Sequence, residues 1–170
     1  MEGSSVLQTV LHSFEQYYNV KTGEAEISRP DLFVAEAEFH SHAEQYFLTR
    51  AAHIADIDSH EYVFFAEEDH LTPGRLEELE RTAWDVGLSR VKPGPGHRNS
   101  DVAHIIIADR IEETAFRQVS KIKRSKSYRF SLHGWSNFRV LAYEVSSGRV
   151  ASNRAGKSLK KVISSTIKSS

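Results

Sequence analysis

The stretch that decides the predicted fold runs from residue 128 to residue 145 and reads YRFSLHGWSNFRVLAYEV. Its first five residues alternate apolar and polar side chains, which is typical of a half-buried strand. Residues 134–137 are turn formers, and residues 138–145 are apolar on both faces, as in a strand covered by a layer on either side. We therefore predict a β-hairpin over 128–145, at the centre of a sheet.

Length and composition predict one globular domain. The chain of 170 residues is 39% hydrophobic and 26% charged, which is typical of globular proteins and of a length for one core, so we predict a single domain over 1–170. It contains no cysteine, which excludes disulfides, thiolate metal ligands and a catalytic cysteine. The N-terminus has no signal-peptide pattern, and no window approaches the ~18 apolar residues of a spanning helix. These features predict a soluble, cytoplasmic protein with no membrane partner.

The first half of the chain predicts one helix followed by three strands. Apolar residues at helical spacing indicate a helix over 6–18. Strands are predicted over 33–39, 45–57 and 62–66, and the short turns between them indicate an antiparallel meander. The first of these strands alternates apolar and polar residues, so we expect it to be half exposed.

The second half predicts three helices. Thr72 is an N-cap followed by Pro73 at the first helical position, and this helix extends to Gly87. The other predicted elements are an irregular, mobile loop at 92–99, a buried strand at 102–108, a helix that Asp109 caps and that extends to Ile122, and a last helix over 159–167. The whole pattern predicts a central mixed sheet, made of the antiparallel meander plus further strands and flanked by about four helices.

Charge is distributed unevenly along the chain. Residues 1–100 hold 8 Lys and Arg against 18 Asp and Glu, whereas residues 101–170 hold 14 against 5. One interpretation is that the two halves interleave in one sheet and neutralise each other. The other is a positive face that binds nucleic acid or another polyanion. The residues predicted to form that anion-binding face are Lys121, Lys123, Arg124, Lys126, Arg154, Lys157, Lys160 and Lys161.

The segment 121–130 is a candidate contact for nucleic acid. It combines five positive charges with the two aromatic residues Tyr128 and Phe130. Phosphates and stacked bases suit such a combination. The alternative is a basic helix C-terminus, where cations meet the helix dipole favourably, followed by a strand with core aromatics.

A motif similar to a phosphate-binding loop occurs at 151–158, ending in Gly-Lys-Ser. A nucleotide-hydrolysing domain needs further parallel strands and a metal-holding acid after this loop, and only twelve residues follow Ser158. We therefore predict no nucleotide cofactor. Two interpretations remain, a plain strand-to-helix turn and an anion site at the helix N-terminus beside Arg154 and Lys157.

Histidines and acids cluster at two predicted turns. His40 and His42 lie at one, and Asp56, Asp58 and His60 lie at the other. A zinc site needs three or four converging ligands, and turns at opposite ends of one strand are too far apart to share an ion. We predict no metal and no cofactor.

Two alternatives to a binding module remain. Glu36 and Glu38 lie on the same face of a predicted strand, as paired acids do in hydrolases, so the first alternative is a cryptic hydrolase that uses them with nearby histidines. Glutamates on the polar side of a half-exposed strand explain the same pattern. The second alternative is a scaffold protein that forms a homodimer through an edge strand.

The predicted order of elements resembles the restriction-endonuclease-like fold. That family's active site has an acid on one strand and a Glu/Asp-x-Lys motif on the next, which hold magnesium and orient water. In the predicted meander, no lysine stands two residues after an acid. The resemblance therefore implies the topology without the nuclease chemistry.

A second resemblance, over about residues 25–165, is to an uncharacterised bacterial family, a domain of unknown function. The similar segments are 46–50, 61–65, Gly134-Trp135 with Arg139, and 148–157. This resemblance implies a single α+β domain and no established catalytic residue.

Overall fold

An open mixed sheet organises the chain. The computed structural model describes residues 3–40, 58–95 and 97–170. The strands in these ranges are β1 (Asn19–Lys21), β2 (Ala35–His40), β3 (Asp58–Leu71), β4 (His97–Ile111), β5 (Ser125–Ser127), β6 (Trp135–Glu144) and β7 (Val150–Ser152). The helices in the same ranges are α1 (Gly3–Phe14), α2 (Pro73–Ser89), α3 (Glu113–Val119) and α4 (Lys157–Lys168).

The centre of the sheet is parallel and its borders are antiparallel. Its strand order is β1-β2-β3-β4-β6-β5, with β7 also paired to β6. Strands β3, β4 and β6 run parallel, which requires long crossover connections, and α2 and α3 lie in those connections. Strands β1 and β2 are antiparallel on one side, and β5 and β7 are antiparallel to β6 on the other.

Two apolar cores lie on opposite faces of this sheet. The period-2 alternation of β4 places Ile106 in the core under α2 and α3, and Ile105 and Ile107 in the core under α1 and α4. Both faces of the central strands are therefore covered, which explains their nearly continuous apolar sequence. The predicted class is confirmed, because the described residues form one open mixed sheet of seven strands with four helices in a single α+β domain.

Several local predictions are also confirmed. Thr72 caps α2, since its hydroxyl accepts a hydrogen bond from the Arg75 N–H at 3.2 Å, and Pro73 occupies the first helical position. Helix α1 buries Val6 and Val10 on its predicted stripe. The predicted two-faced apolarity of β6 is correct, with Val140 and Leu141 fully buried on opposite faces.

The predicted central hairpin is wrong in its first strand and in its position. Residues 128–134 form a loop, and the hairpin partner of β6 is the three-residue strand β5 that precedes it. Phe130 and Leu132, predicted to face the core, are 98% and 80% exposed. The centre of the sheet belongs to β3 and β4, which are the two longest strands and lie in the middle of the strand order, whereas β6 is second from the edge.

Other boundaries also differ from the predictions. The loop predicted at 92–99 ends earlier, because β4 begins at His97, which is buried. Asp109 lies in β4 and does not cap α3, which begins at Glu113 without a side-chain cap. Strand β2 is buried over 35–37 and not half exposed. Strand β1 was not predicted, and the strand predicted at 45–57 lies outside the described residues.

Candidate anion-binding groove

A gap between two short strands lies along the outer edge of β6. Strand β5 pairs with residues 135–137 of β6, and β7 pairs with residues 141–143. Among the described strands, none pairs with residues 138–140 on this side. The chain after α3 and the turn after β7 approach this stretch from either end, since the Phe138 N–H donates to Arg124 O at 3.1 Å and the Asn153 N–H donates to Val140 O at 3.1 Å.

The side chain of Asn153 closes the gap. Its Oδ1 accepts the Val140 N–H and the Gly156 N–H, each at 2.9 Å. Its Nδ2 donates to Phe138 O at 2.7 Å and to Ile122 O at 3.0 Å. Every donor and lone pair of the amide is used, and the side chain is buried. Asn153 thus fixes the exit of α3 relative to β6 and the turn before α4.

A groove of about 560 Å³ lies over this junction. We call it the basic groove and define it by its lining residues, which are Ser120, Lys121, Ile122, Lys123, Arg124, Ser125, Asn137, Phe138, Asn153, Arg154 and Ala155. Four of the eight predicted anion-binding residues therefore come together here. These four residues were identified in the sequence by their charge. The uncharged polar residues of the lining, such as Asn137 and Asn153, were not identified, because no sequence motif marks them.

The four cations of the basic groove are not equivalent. Arg124 forms a bidentate ion pair with Glu80 of α2, at 2.7 and 2.8 Å, so its charge is already paired within the fold. Lys121, Lys123 and Arg154 are exposed, and within the described ranges they form no ion pair. Arg124 is therefore part of the wall, and the other three cations are available to a ligand.

The remaining predicted anion-binding residues lie elsewhere. Lys126 lies on β5, with its Nζ 5.6 Å from the ring centroid of Tyr128. Lys157, Lys160 and Lys161 lie on α4, and this helix packs on the face of the sheet opposite α3. Those three lysines are not among the residues that line the basic groove. The segment 151–158 is a strand-to-helix turn in which Asn153 accepts the Gly156 N–H.

The Glu36–Glu38 pair forms a structural ion-pair cluster. Arg90, at the end of α2, donates to Glu36 at 2.7 Å and to Glu38 at 3.2 Å. Its guanidinium also lies 5.3 Å from the ring centroid of Phe64. Glu36 is only 1% exposed and accepts the Ser28 N–H at 2.9 Å, so it is not a surface residue. No group of three or more potential metal ligands occurs among residues 3–40, 58–95 and 97–170.

A buried polar cluster on the α1 side of the sheet was missed by the sequence analysis. Arg139 of β6 donates to Glu61 of β3 at 3.1 Å and to Asp101 of β4 at 2.8 Å. The Tyr18 hydroxyl donates to Glu61 at 2.9 Å. Burial raises the pKa of Glu61 and also that of Tyr18. The four residues of the cluster lie on separate segments of the chain, so no local sequence motif predicts it.

Fold and groove together define the class, an α+β domain with a mixed open sheet and a basic groove beside its outer strand. The chain belongs to the family described as DUF8052, a domain of unknown function, whose model matches residues 2–165. The predicted membership in an uncharacterised family is confirmed, and the match begins nearer the N-terminus than predicted.

Neither a curated protein nor a solved structure matches the chain, so the likeness to restriction endonucleases stays a prediction. In the described part of the chain, no helix has the length and apolarity to cross a membrane.

Proposed function

We propose that this domain is a non-catalytic binding module that engages nucleic acid or another polyanion through the basic groove. The observation that carries the proposal is the convergence of Lys121, Lys123 and Arg154 on one cavity of about 560 Å³. A cation without a carboxylate partner gains most from a phosphate, because no internal ion pair has to be broken first.

Rigidity of the groove supports the proposal. Arg154 directly follows Asn153, and Lys121 and Lys123 flank Ile122, whose carbonyl Asn153 holds. The backbone positions of the three cations are therefore set by one buried hydrogen-bond network. Cations on a fixed backbone lose less conformational entropy on binding than cations on a mobile segment do. Ser120, Ser125 and Asn137 add hydrogen-bonding groups to the lining.

The test is a titration of labelled oligonucleotides at low and moderate salt. Three phosphate contacts predict that log K falls with log salt with a slope of about −2 to −3. The double variant Lys121→Glu/Lys123→Glu is expected to weaken binding by about tenfold or more and to flatten that slope by about 2. The matched control is Lys160→Glu/Lys161→Glu, which changes the net charge equally on the other face of the sheet.

The outcomes separate a local site from general attraction. Loss of binding in the groove variant, with the α4 variant unchanged, supports the basic groove. An equal loss in both variants contradicts it and leaves only a net-charge effect. Absence of binding at low salt also contradicts the proposal, and a doubled mass of the free protein in the same solutions supports the homodimeric scaffold instead.

The hydrolase alternative concerns a different part of the molecule. A depression of about 400 Å³ is lined by Glu38, His60, Tyr62, Arg90 and Lys92, which brings a carboxylate, an imidazole and two cations together. Turnover of a phosphoester that Glu38→Gln abolishes, and that the Lys121→Glu/Lys123→Glu variant retains, favours this second function. Retention of the activity in Glu38→Gln excludes it.

A further inference from the structure

The loop of residues 128–134, which joins β5 to β6, has an unusual backbone. Arg129, Phe130 and Ser131 have φ angles of 47°, 52° and 69°. Three consecutive non-glycine residues thus occupy the left-handed region, where the Cβ crowds the following carbonyl. Strain of this kind persists only where the surroundings impose it, and it concentrates at functional sites.

Both ends of this loop are fixed to the sheet. Tyr128 is buried and its hydroxyl forms a hydrogen bond with Ser136 at 2.9 Å. The Tyr128 N–H donates to Gly134 O at 2.9 Å, and the His133 N–H donates back to Tyr128 O at 3.1 Å. His97 of β4 donates through Nδ1 to His133 O at 2.5 Å. The left-handed turn is therefore a projection that hydrogen bonds anchor at both ends.

Apolar side chains on this projection face the solvent. Phe130 is 98% exposed and Leu132 is 80% exposed, while Trp135 at the start of β6 is 40% exposed. A side chain as exposed as Phe130 contributes almost nothing to packing. The fold thus holds an aromatic ring in water at the cost of backbone strain, which a structural role for that ring does not explain.

Two cations lie on the projection and on the strand before it, and that strand begins at the basic groove. Arg129 lies within the loop, and Lys126 lies on β5 directly before it. Strand β5 begins at Ser125, which lines the basic groove, and it spans only three residues, about 10 Å. A ligand that follows this edge meets cations along its path and an exposed aromatic ring at its end.

We infer that the ligand is a single-stranded nucleic acid whose phosphates lie along the basic groove and whose bases stack on Phe130 and Trp135. This inference rests on the proposed function and specifies its ligand. Unpaired bases offer apolar faces between negative charges, which matches the arrangement of rings and cations. Bases in a duplex are already stacked on each other, so the rings add nothing to duplex binding.

The experiment compares three probes on the full chain: an unstructured labelled oligonucleotide, a duplex of the same length, and heparin as a polyanion without bases. Phe130→Ala is the test variant, and Leu132→Ala is the matched control, since it shortens an exposed apolar side chain that has no ring. Stacking of one base predicts that Phe130→Ala weakens single-strand binding by about 5- to 150-fold. Heparin binding stays unchanged, and Leu132→Ala binds all three probes like the parent.

A second readout uses the two tryptophans. Trp84 is buried and Trp135 is partly exposed, so quenching of the accessible emission by the single strand, and not by heparin, reports stacking on Trp135. If no probe binds, the proposed function itself fails. If single strand, duplex and heparin bind alike and Phe130→Ala changes none of them, the groove stands and the stacking inference is overturned. The inference is also overturned if Phe130→Ala and Leu132→Ala weaken single-strand binding equally. The same holds if the parent self-associates or binds anionic vesicles and both variants lose that property. In either case the loop acts as a general apolar contact.

Discussion

Asn153 and Val140 exchange two hydrogen bonds across the gap between β5 and β7. The Val140 N–H donates to Asn153 Oδ1 at 2.9 Å, and the Asn153 N–H donates to Val140 O at 3.1 Å. A residue of the turn after β7 thus takes the place of a paired strand at this point of β6, where none of the described strands pairs with it. The same amide holds the carbonyls of Phe138 and Ile122, so the basic groove and the edge of the sheet depend on one residue.

Replacement of Asn153 by alanine is expected to destabilise the fold strongly. The Val140 N–H and the carbonyls of Phe138 and Ile122 lose their partner, and each buried unsatisfied group costs about 1–3 kcal/mol. We expect the free energy of unfolding to fall by about 3 kcal/mol or more, measured by urea denaturation. Arg154→Ala is the control, because Arg154 is exposed and its loss is expected to cost less than about 0.5 kcal/mol. Equal stabilities of the two variants would contradict a structural role for Asn153.

Stability is expected to fall as the pH drops below 7, because of His104. This residue is fully buried, its Nδ1 donates to Phe64 O at 2.9 Å, and its Nε2 has no hydrogen-bond partner among the described residues. Burial lowers the pKa of His104 to about 4 in the folded state, against about 6.5 in the unfolded chain. The unfolded chain therefore binds the proton first, and the contribution to stability that is present above pH 6.5 is lost as the pH falls toward 4.

The expected loss between pH 7 and pH 5 is about 2 kcal/mol. Urea denaturation at the two pH values is the measurement, with His104→Leu as the variant and His12→Leu as the control, because the His12 side chain is exposed. The pH dependence is expected to shrink only in His104→Leu. A full dependence in that variant would assign the effect to other groups.

Which parts of this architecture the sequence predicts depends on how local their causes are. The cap at Thr72 and Pro73 is a contact between neighbours, so it was predicted correctly. The loop at 128–134 alternates apolar and polar residues as a strand does. Only its left-handed backbone, next to the hydrogen bond between Tyr128 and Ser136, distinguishes the loop from a strand. Alternation reports which side chains differ in polarity, and it does not report the φ angle that connects them.

The candidate groove was only half predictable for the same reason. An excess of Lys and Arg in the last seventy residues is visible in the sequence. Whether Lys121 and Lys160 share a face depends on which side of the sheet α3 and α4 pack, and long-range strand order decides that. Ion pairs such as Arg90–Glu36, which join residues 54 positions apart, have no local signature either.

Replacement of Arg139 by methionine is expected to destabilise the fold in a pH-dependent way. It leaves the buried carboxyls of Glu61 and Asp101 without their shared counter-charge, at a cost of about 3 kcal/mol at pH 7. Burial already raises the pKa of Glu61, and loss of Arg139, which opposes that shift, raises it further. The folded-state pKa then lies above the unfolded value, so the stabilising effect of a neutral Glu61 is present at low pH and is lost as the pH rises through the folded-state pKa.

The deficit of Arg139→Met is therefore expected to be larger at pH 7 than at pH 5, measured by urea denaturation at both values. Arg139→Lys keeps the charge and is the control, and we expect it to recover part of the stability at pH 7. A deficit of the same size at both pH values would mean that Arg139 contributes through packing of its alkyl chain and not through its charge.

Two glycines of α2 are expected to respond in opposite directions to the same substitution. A Cβ on Gly74 meets no atom of the described residues within 4 Å, whereas a Cβ on Gly87 lies 2.5 Å from one methyl group of Val102 and 2.7 Å from the other. Alanine is the better helix former by about 1 kcal/mol, so Gly74→Ala is expected to stabilise the domain by up to that amount. In Gly87→Ala the same gain is opposed by overpacking against the fully buried Val102, at a cost of about 1–3 kcal/mol.

The measurement is the midpoint of thermal or urea unfolding for both variants, and Gly87→Ala combined with Val102→Ala tests the cause. We expect the double variant to lose less stability than the sum of the two single variants, because Val102→Ala relieves the clash. Simple additivity would show that a side chain at position 87 of α2 does not clash with Val102 of β4.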